Sequence, residues 1–92
     1  MQLFDEQDVQ QMLCNYLKHR RKSAKLSRQA LATRCGVPAA TIKHFETTGN
    51  ISLRQFLLLW LTLDDLSRLT TLMQASDRVR PMTIKEVLSN EL

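Results

Sequence analysis

Glycine, proline and aromatic residues are scarce in this chain of 92 residues. It contains two glycines and two prolines, and aromatic side chains make up 5% of it. Such a shortage of turn-forming residues disfavours a fold of many short strands and favours helices. The length suits one small domain with a single core, provided that most residues are helical. The composition therefore predicts an all-α protein.

Long apolar runs are also missing. The longest is FLLLWL at residues 56–61, whereas a membrane-spanning helix needs about 18 apolar residues or more. The N-terminal stretch MQLFDEQD is acidic and lacks the basic start of a signal peptide. We therefore expect a soluble, cytoplasmic protein with no membrane span.

Catalytic and metal-binding patterns are absent from the sequence as well. The two cysteines and two histidines form no C-x-x-C or H-x-x-x-H pair, which argues against a zinc site. No serine, cysteine, histidine and acid stand in a nucleophile–base pattern, and there is no glycine-rich phosphate loop. We expect no enzymatic activity, no metal and no cofactor.

Positive charge is concentrated in one part of the chain. The net charge is +4, yet residues 10–44 hold eight basic side chains and no acidic one. The remaining residues hold nine acids and five bases, so the basic segment carries +8 and the rest carries −4. A solvated basic face would explain such a run, but this degree of segregation favours a polyanionic partner.

Capping residues and apolar spacing predict five helices before residue 76. Asp5 can cap the first helix, expected at about residues 6–22. The apolar stripe of that helix is predicted at Val9, Met12, Leu13, Tyr16 and Leu17. Four further helices are expected at about 28–35, 38–46, 53–63 and 65–75, with a loop at 47–50.

The C-terminal stretch carries a separate helix-start signal. Thr83 and Glu86 are spaced as a capping box, which predicts a last short helix at about residues 84–90. The chain would then divide into a five-helix domain at residues 1–75 and a tail at 76–92.

The second and third predicted helices form a helix-turn-helix pattern. Gly36 can take a left-handed turn between them, and the small Ala32 stands where the two helices approach. Apolar residues such as Leu31, Val37 and Ile42 can hold the pair at a fixed angle. That angle lets the third helix enter a major groove while the second lies across the DNA backbone. An ordinary corner of a helical bundle would give the same pattern.

Residues 26–63, LSRQALATRCGVPAATIKHFETTGNISLRQFLLLWLTL, resemble the Cro/repressor-type (XRE) helix-turn-helix family. The matching positions are Leu31-Ala32, Gly36-Val37, Thr41-Ile42, Glu46, Leu53, Phe56 and Leu63. Within that family the segment is most similar to HipB-like antitoxins, the DNA-binding members of kinase-type toxin–antitoxin operons. The resemblance implies a compact five-helix domain, to which the capping box at Thr83 adds a short tail helix. The resemblance also implies that the protein represses transcription of its own operon and has a toxin partner encoded beside it.

The resemblance assigns roles to individual positions. It implies that four residues of the third helix face base edges: Ala39, Ala40, Lys43 and His44. It implies phosphate contacts for Ser27, Arg28, Thr41, Thr47 and Asn50. Lys25, from the basic cluster at the end of the first helix, is expected to join the phosphate-binding set. The alternative is that this cluster only stabilises the end of the helix electrostatically. The resemblance implies a structural role for Glu46, bound to backbone or to an arginine.

Alanine at two reading positions limits how bases could be recognised. Ala39 and Ala40 donate no side-chain hydrogen bond, but their methyl groups can pack on a thymine methyl. Hydrogen-bond discrimination would then fall on Lys43 and His44. The alternatives are a phosphate contact for Lys43 and a solvated side chain for His44.

The fourth and fifth predicted helices carry more leucine than one core-facing stripe requires. Leucines outside that stripe would be exposed, and exposed leucines at this density indicate a protein interface. We expect a symmetric homodimer that forms through these two helices. The residues predicted to form it are Leu58, Leu61, Leu66, Leu69 and Met73. Such a dimer would place two reading helices on an inverted-repeat operator in double-stranded DNA. The alternative is a larger intramolecular core closed by the tail helix.

Three functions fit these observations. The first is an autoregulating antitoxin that acts in the bacterial cytoplasm, at operator sites of the nucleoid. The second is a stand-alone or phage-type repressor without a toxin. The third is a protein-interaction module that kept the fold and lost base reading, and the alanines at 39 and 40 give it some support.

Overall fold

A computed structural model of the protein describes residues 3–75. Within this range there are five helices and no strand. The helices are α1 (Glu6–Ser23), α2 (Arg28–Cys35), α3 (Ala39–Thr48), α4 (Leu53–Leu63) and α5 (Leu66–Ala75). The all-α helix-turn-helix prediction is confirmed. The helix predicted at 84–90 lies outside the described residues.

Local capping chemistry determines where most helices begin. At the start of α1, the Asp5 carboxylate accepts a hydrogen bond from the Asp8 backbone N–H, and the Asp8 carboxylate accepts one from the Asp5 N–H. Ser27 and Ser52 cap α2 and α4 by accepting from backbone N–H groups three residues on. Each cap satisfies a donor that would otherwise lack a partner in the helix.

Helix α3 differs from its prediction at both ends. Pro38 stands just before α3, not within its first turn, and supplies no side-chain cap. The helix continues through Thr47 and Thr48, which were predicted to lie in a loop. Both threonine hydroxyls donate to carbonyls one turn back, and Gly49 ends the helix with a φ of 82°. A left-handed glycine is a common helix stop, and Gly49 lies three residues beyond the predicted end, so the helix ends two residues later than predicted.

The core lies between α1, the α2–α3 unit and α4. The buried apolar side chains are Cys14, Leu17, Leu31, Val37, Ile42, Phe45, Leu59, Trp60 and Leu63. Two aromatic contacts link α1 to α4 and α4 to α3: Tyr16 stacks on Trp60, and Phe45 meets Phe56 edge to face. This packing fixes α3 from its inner side and leaves its other side to solvent.

The apolar stripe predicted for α1 was partly wrong. Val9 and Met12 are 44% and 53% exposed, while Cys14, Leu17 and Arg21 face the core. The helix is therefore rotated relative to the prediction. Apolar periodicity could not reveal this rotation, because it treats an arginine as a surface residue.

The turn between α2 and α3 depends on the backbone conformation of Gly36. Its φ is 77°, and no atom beyond Gly36 and its two chain neighbours lies within 4 Å of the position that a Cβ would occupy. Gly36→Ala therefore introduces backbone strain without a clash, and we expect the free energy of unfolding to fall by about 1–2 kcal/mol. Urea denaturation measures the loss. Gly36→Asn is the matched variant and should lose less, because asparagine tolerates this conformation better; equal stability of all three proteins would contradict the prediction.

Candidate nucleic-acid interface

Helix α3 has two distinct faces. Its inner face consists of Ile42, Phe45 and Glu46, which are buried. Its outer face consists of exposed residues at a spacing of three and four: Ala40, Lys43, His44 and Thr47. Residues at this spacing lie side by side on a helix. The outer face is therefore a continuous surface about two turns long.

The four predicted base-reading residues lie together at the start of this outer face. Ala40, Lys43 and His44 are exposed, and Ala39 is half-buried at the beginning of the helix. The small alanines leave the N-terminal turn of α3 without bulk, while Lys43 and His44 project one turn further on. The surface thus combines methyl groups with two polar side chains.

A buried ionic cluster holds α3 against the two preceding helices. The Glu46 side chain is 2% exposed and accepts hydrogen bonds from one arginine on α1 and one on α2. Arg21 of α1 donates through Nε to Oε2 at 2.7 Å and through Nη2 to Oε1 at 3.0 Å. Arg28 of α2 donates through Nε to Oε1 at 2.9 Å. Since the three residues belong to three helices, the cluster fixes the angle between α2 and α3.

Two opposing effects act on the pKa of Glu46. Burial raises the pKa of the carboxyl, because it penalises the charged form. Hydrogen bonds from Arg21 and Arg28, together with their positive charges, outweigh that penalty. The net result is a pKa below the ordinary value for glutamate, so Glu46 is ionised at neutral pH. Of the two kinds of partner expected for Glu46, backbone or an arginine, the structure shows arginines.

The predicted phosphate-binding residues differ in their availability to a ligand. Ser27, Lys25, Thr47 and Asn50 are exposed, and Thr41 is half-buried. The Ser27 hydroxyl accepts from the Ala30 N–H at 3.0 Å, which leaves its own hydrogen available to a phosphate oxygen. The Thr47 hydroxyl instead donates to the Lys43 carbonyl at 2.9 Å. A phosphate contact by Thr47 would have to replace that bond.

The basic segment offers fewer charges to a ligand than its sequence suggests. Arg21 is buried on Glu46, and the Nε of Arg28 is also bound to Glu46. Arg20 donates through Nε to the Leu63 carbonyl at 2.9 Å, at the end of α4. Arg28 can meet a phosphate only through its terminal nitrogens. The sequence did not reveal that Arg21 is bound to Glu46, because the two residues are 25 positions apart.

The residues predicted to form a dimer interface fall into two groups. Leu58, Leu66 and Leu69 are half-buried and pack against the core of their own chain. Leu61 and Met73 are exposed, at 54% and 67%. Two of the five predicted interface residues are therefore exposed, and Leu72, at 68%, is a further exposed leucine on α5.

These observations define a class of protein: an all-α helix-turn-helix domain with an exposed third helix. A family model described as a helix-turn-helix domain matches residues 13–83. The chain belongs to this helix-turn-helix domain family, and a domain of this kind indicates DNA binding. Neither a curated protein nor a solved structure matches the chain. Among residues 3–75, no helix could span a membrane, and no group of three or more His, Cys, Asp or Glu side chains could hold a metal.

Proposed function

We propose that the protein is a sequence-specific transcriptional repressor that reads double-stranded DNA with the outer face of α3. The observation that carries this proposal is the geometry of α3. Its inner face is held by the core and by Glu46, while Ala40, Lys43, His44 and Thr47 project outward. Phosphate contacts from Ser27, Lys25 and Asn50 would orient the helix in the groove, and base contacts would supply specificity.

Selection of DNA from a random library by the full chain tests this proposal. We expect enrichment of an inverted repeat with half-sites about one helical turn, or 10 base pairs, apart. Binding should weaken steeply as salt rises, because basic side chains displace counterions from the phosphates. A library that yields no common sequence at low salt would support the interaction module that has lost base reading. The two alanines of α3 are the observation that favours this second candidate.

The antitoxin role is the finer part of the proposal. It rests on the resemblance of residues 26–63 to HipB-like antitoxins and on the abundance of apolar side chains beyond the core. A toxin encoded in the same operon would then be the partner, and the repressor would act on its own promoter in the bacterial cytoplasm. Copurification from cells, with mass determination of the complex, separates an antitoxin from a stand-alone or phage-type repressor.

The proposed homodimer uses α4 and α5, where Leu61 is 54% exposed. Leu61→Ser should shift the protein from dimer to monomer, since it removes apolar area at the interface. The folding stability of the single chain should change by no more than about 0.5 kcal/mol, because the side chain already faces solvent. Analytical ultracentrifugation over a concentration series measures the shift.

Leu53→Ser is the matched control for this experiment. Leu53 is 73% exposed at the start of α4 and lies outside the predicted interface. It should leave the dimer intact. If both variants dimerise like the parent chain, α4 does not form the interface, and a core closed by the tail becomes the better explanation of the leucines.

A further inference from the structure

A second apolar surface lies at the N-terminal end of α1 and is separate from the reading face of α3. Leu3, Phe4, Val9 and Met12 are exposed at 81%, 56%, 44% and 53%. Val9 and Leu13 are neighbours one turn apart on α1. Leu13 in turn lines a groove of about 270 Å³ with Gln10, Phe45, Gly49, Ile51, Leu53 and Phe56. Apolar side chains therefore continue from the first residues of the described chain to the start of α4.

The side chains of residues 3–17 carry only negative charge. Asp5, Glu6 and Asp8 lie among the apolar residues of this N-terminal surface, and residues 3–17 contain no basic side chain. The capping box occupies one carboxylate oxygen of Asp5 and one of Asp8. Glu6 takes no part in it. Three carboxylates beside four exposed apolar side chains are thus presented to whatever meets this surface.

The negative charge decides which partner fits. DNA phosphates and anionic lipids would be repelled. A second copy related by a two-fold axis through this surface would face three carboxylates with the same three, which is also unfavourable. We propose that the N-terminal surface docks a positively charged amphipathic segment of a different protein, with apolar side chains against Phe4, Val9 and Met12 and basic ones against the carboxylates. The proposal stands whether or not α3 reads an operator.

A synthetic peptide with lysine and leucine at helical spacing is the probe that tests this docking. We expect it to bind the full chain and to shift backbone amide resonances of residues 3–13 in 1H–15N spectra. A peptide in which glutamate replaces every lysine should not bind. Raising the salt from about 0.05 M to about 0.5 M should weaken the binding several-fold, because exposed charges are screened.

Substitutions separate the apolar and the charged contributions. The double variant Phe4→Ser, Met12→Ser should weaken peptide binding by at least about tenfold, since each side chain buries apolar area in the complex. Glu6→Gln should weaken it by a smaller factor and leave the capping box in place. Leu72→Ser is the control, because Leu72 is 68% exposed and belongs neither to the N-terminal surface nor to the residues predicted for the dimer interface. It should leave peptide binding unchanged.

Several outcomes would overturn the docking proposal. One is equal binding of the lysine and glutamate peptides. Another is binding that shifts the resonances of α4 and α5 instead of α1, or that survives the double substitution. A third is contact between residues 3–12 and residues 76–92 in the free protein, which would mean that the chain covers this surface itself. None of these results depends on DNA binding.

Discussion

Replacing Glu46 with alanine should lower the free energy of unfolding by about 3–5 kcal/mol, because removing one partner of a buried ion pair leaves the other charge uncompensated. The residue left behind is Arg21, whose side chain is 9% exposed. Arg28, at 34%, can turn toward water. For a domain of this size, such a loss should lower Tm by at least about 12 °C. Thermal and urea denaturation measure it.

Two further variants distinguish loss of charge from loss of packing. Glu46→Gln keeps the shape of the side chain and one acceptor oxygen, so it should be less destabilising than Glu46→Ala. The double variant Glu46→Leu, Arg21→Met removes both buried charges and should recover much of the stability, as apolar replacements of buried pairs often do. If Glu46→Ala unfolds like the parent chain, the cluster does not hold α3 in place.

The lowered pKa of Glu46 also makes stability depend on pH in one direction. A carboxyl whose pKa is lower in the folded state than in the unfolded state stabilises the fold fully above its unfolded pKa. That contribution is lost as the pH falls through the folded pKa. Stability of the parent chain should therefore decline below about pH 4.3, the ordinary glutamate pKa. Glu46→Gln removes this titration, so its stability should decline less steeply over the same range.

Features of the fold that depend on local chemistry could be predicted from the sequence. Ser27, Gly36 and Ser52 mark the boundaries of α2 and α4, because a cap or a left-handed turn involves residues within four positions of each other. The placement of Ala40, Lys43 and His44 on one side of α3 came instead from the family resemblance, and all three are exposed in the structure. The start of α1 at Asp5 was predicted by the same reasoning as the boundaries of α2 and α4, and its capping box adds the reciprocal bond from Asp8.

Features that depend on distant residues could not be predicted in this way. The rotation of α1 depends on the burial of Arg21, whose partner Glu46 is 25 residues away. Helical periodicity reveals only neighbours within one helix, so it could not show that Arg21 faces inward. The apolar spacing alone placed Val9 and Met12 on the core-facing side of α1. The same pairing reduces the charge available for DNA contact. A count of basic residues in the sequence therefore overestimates the positive charge available to DNA when some of those residues are bound to a buried acid.

Lys43 and His44 are the residues on which specific binding should depend most. A good base contact contributes about 1–3 kcal/mol of discrimination, so Lys43→Ala should weaken binding to the selected operator by about 5- to 150-fold. His44→Ala should have an effect of the same kind. Both side chains are exposed, so neither substitution should change the unfolding midpoint. Fluorescence anisotropy with operator and random DNA, at matched salt, measures affinity and specificity together.

Lys25→Ala is the control that separates base contact from phosphate contact. Lys25 is exposed before α2 and is assigned to phosphate. Its removal should weaken operator and random DNA equally and reduce the salt dependence by about one ion. Lys43→Ala should instead lower the ratio of specific to random affinity. If Lys43→Ala behaves like Lys25→Ala, Lys43 binds phosphate, and His44 becomes the remaining hydrogen-bonding reader beside the methyl groups of Ala39 and Ala40. If neither α3 variant changes the ratio, the helix does not discriminate bases through these side chains, and the interaction module becomes the better explanation.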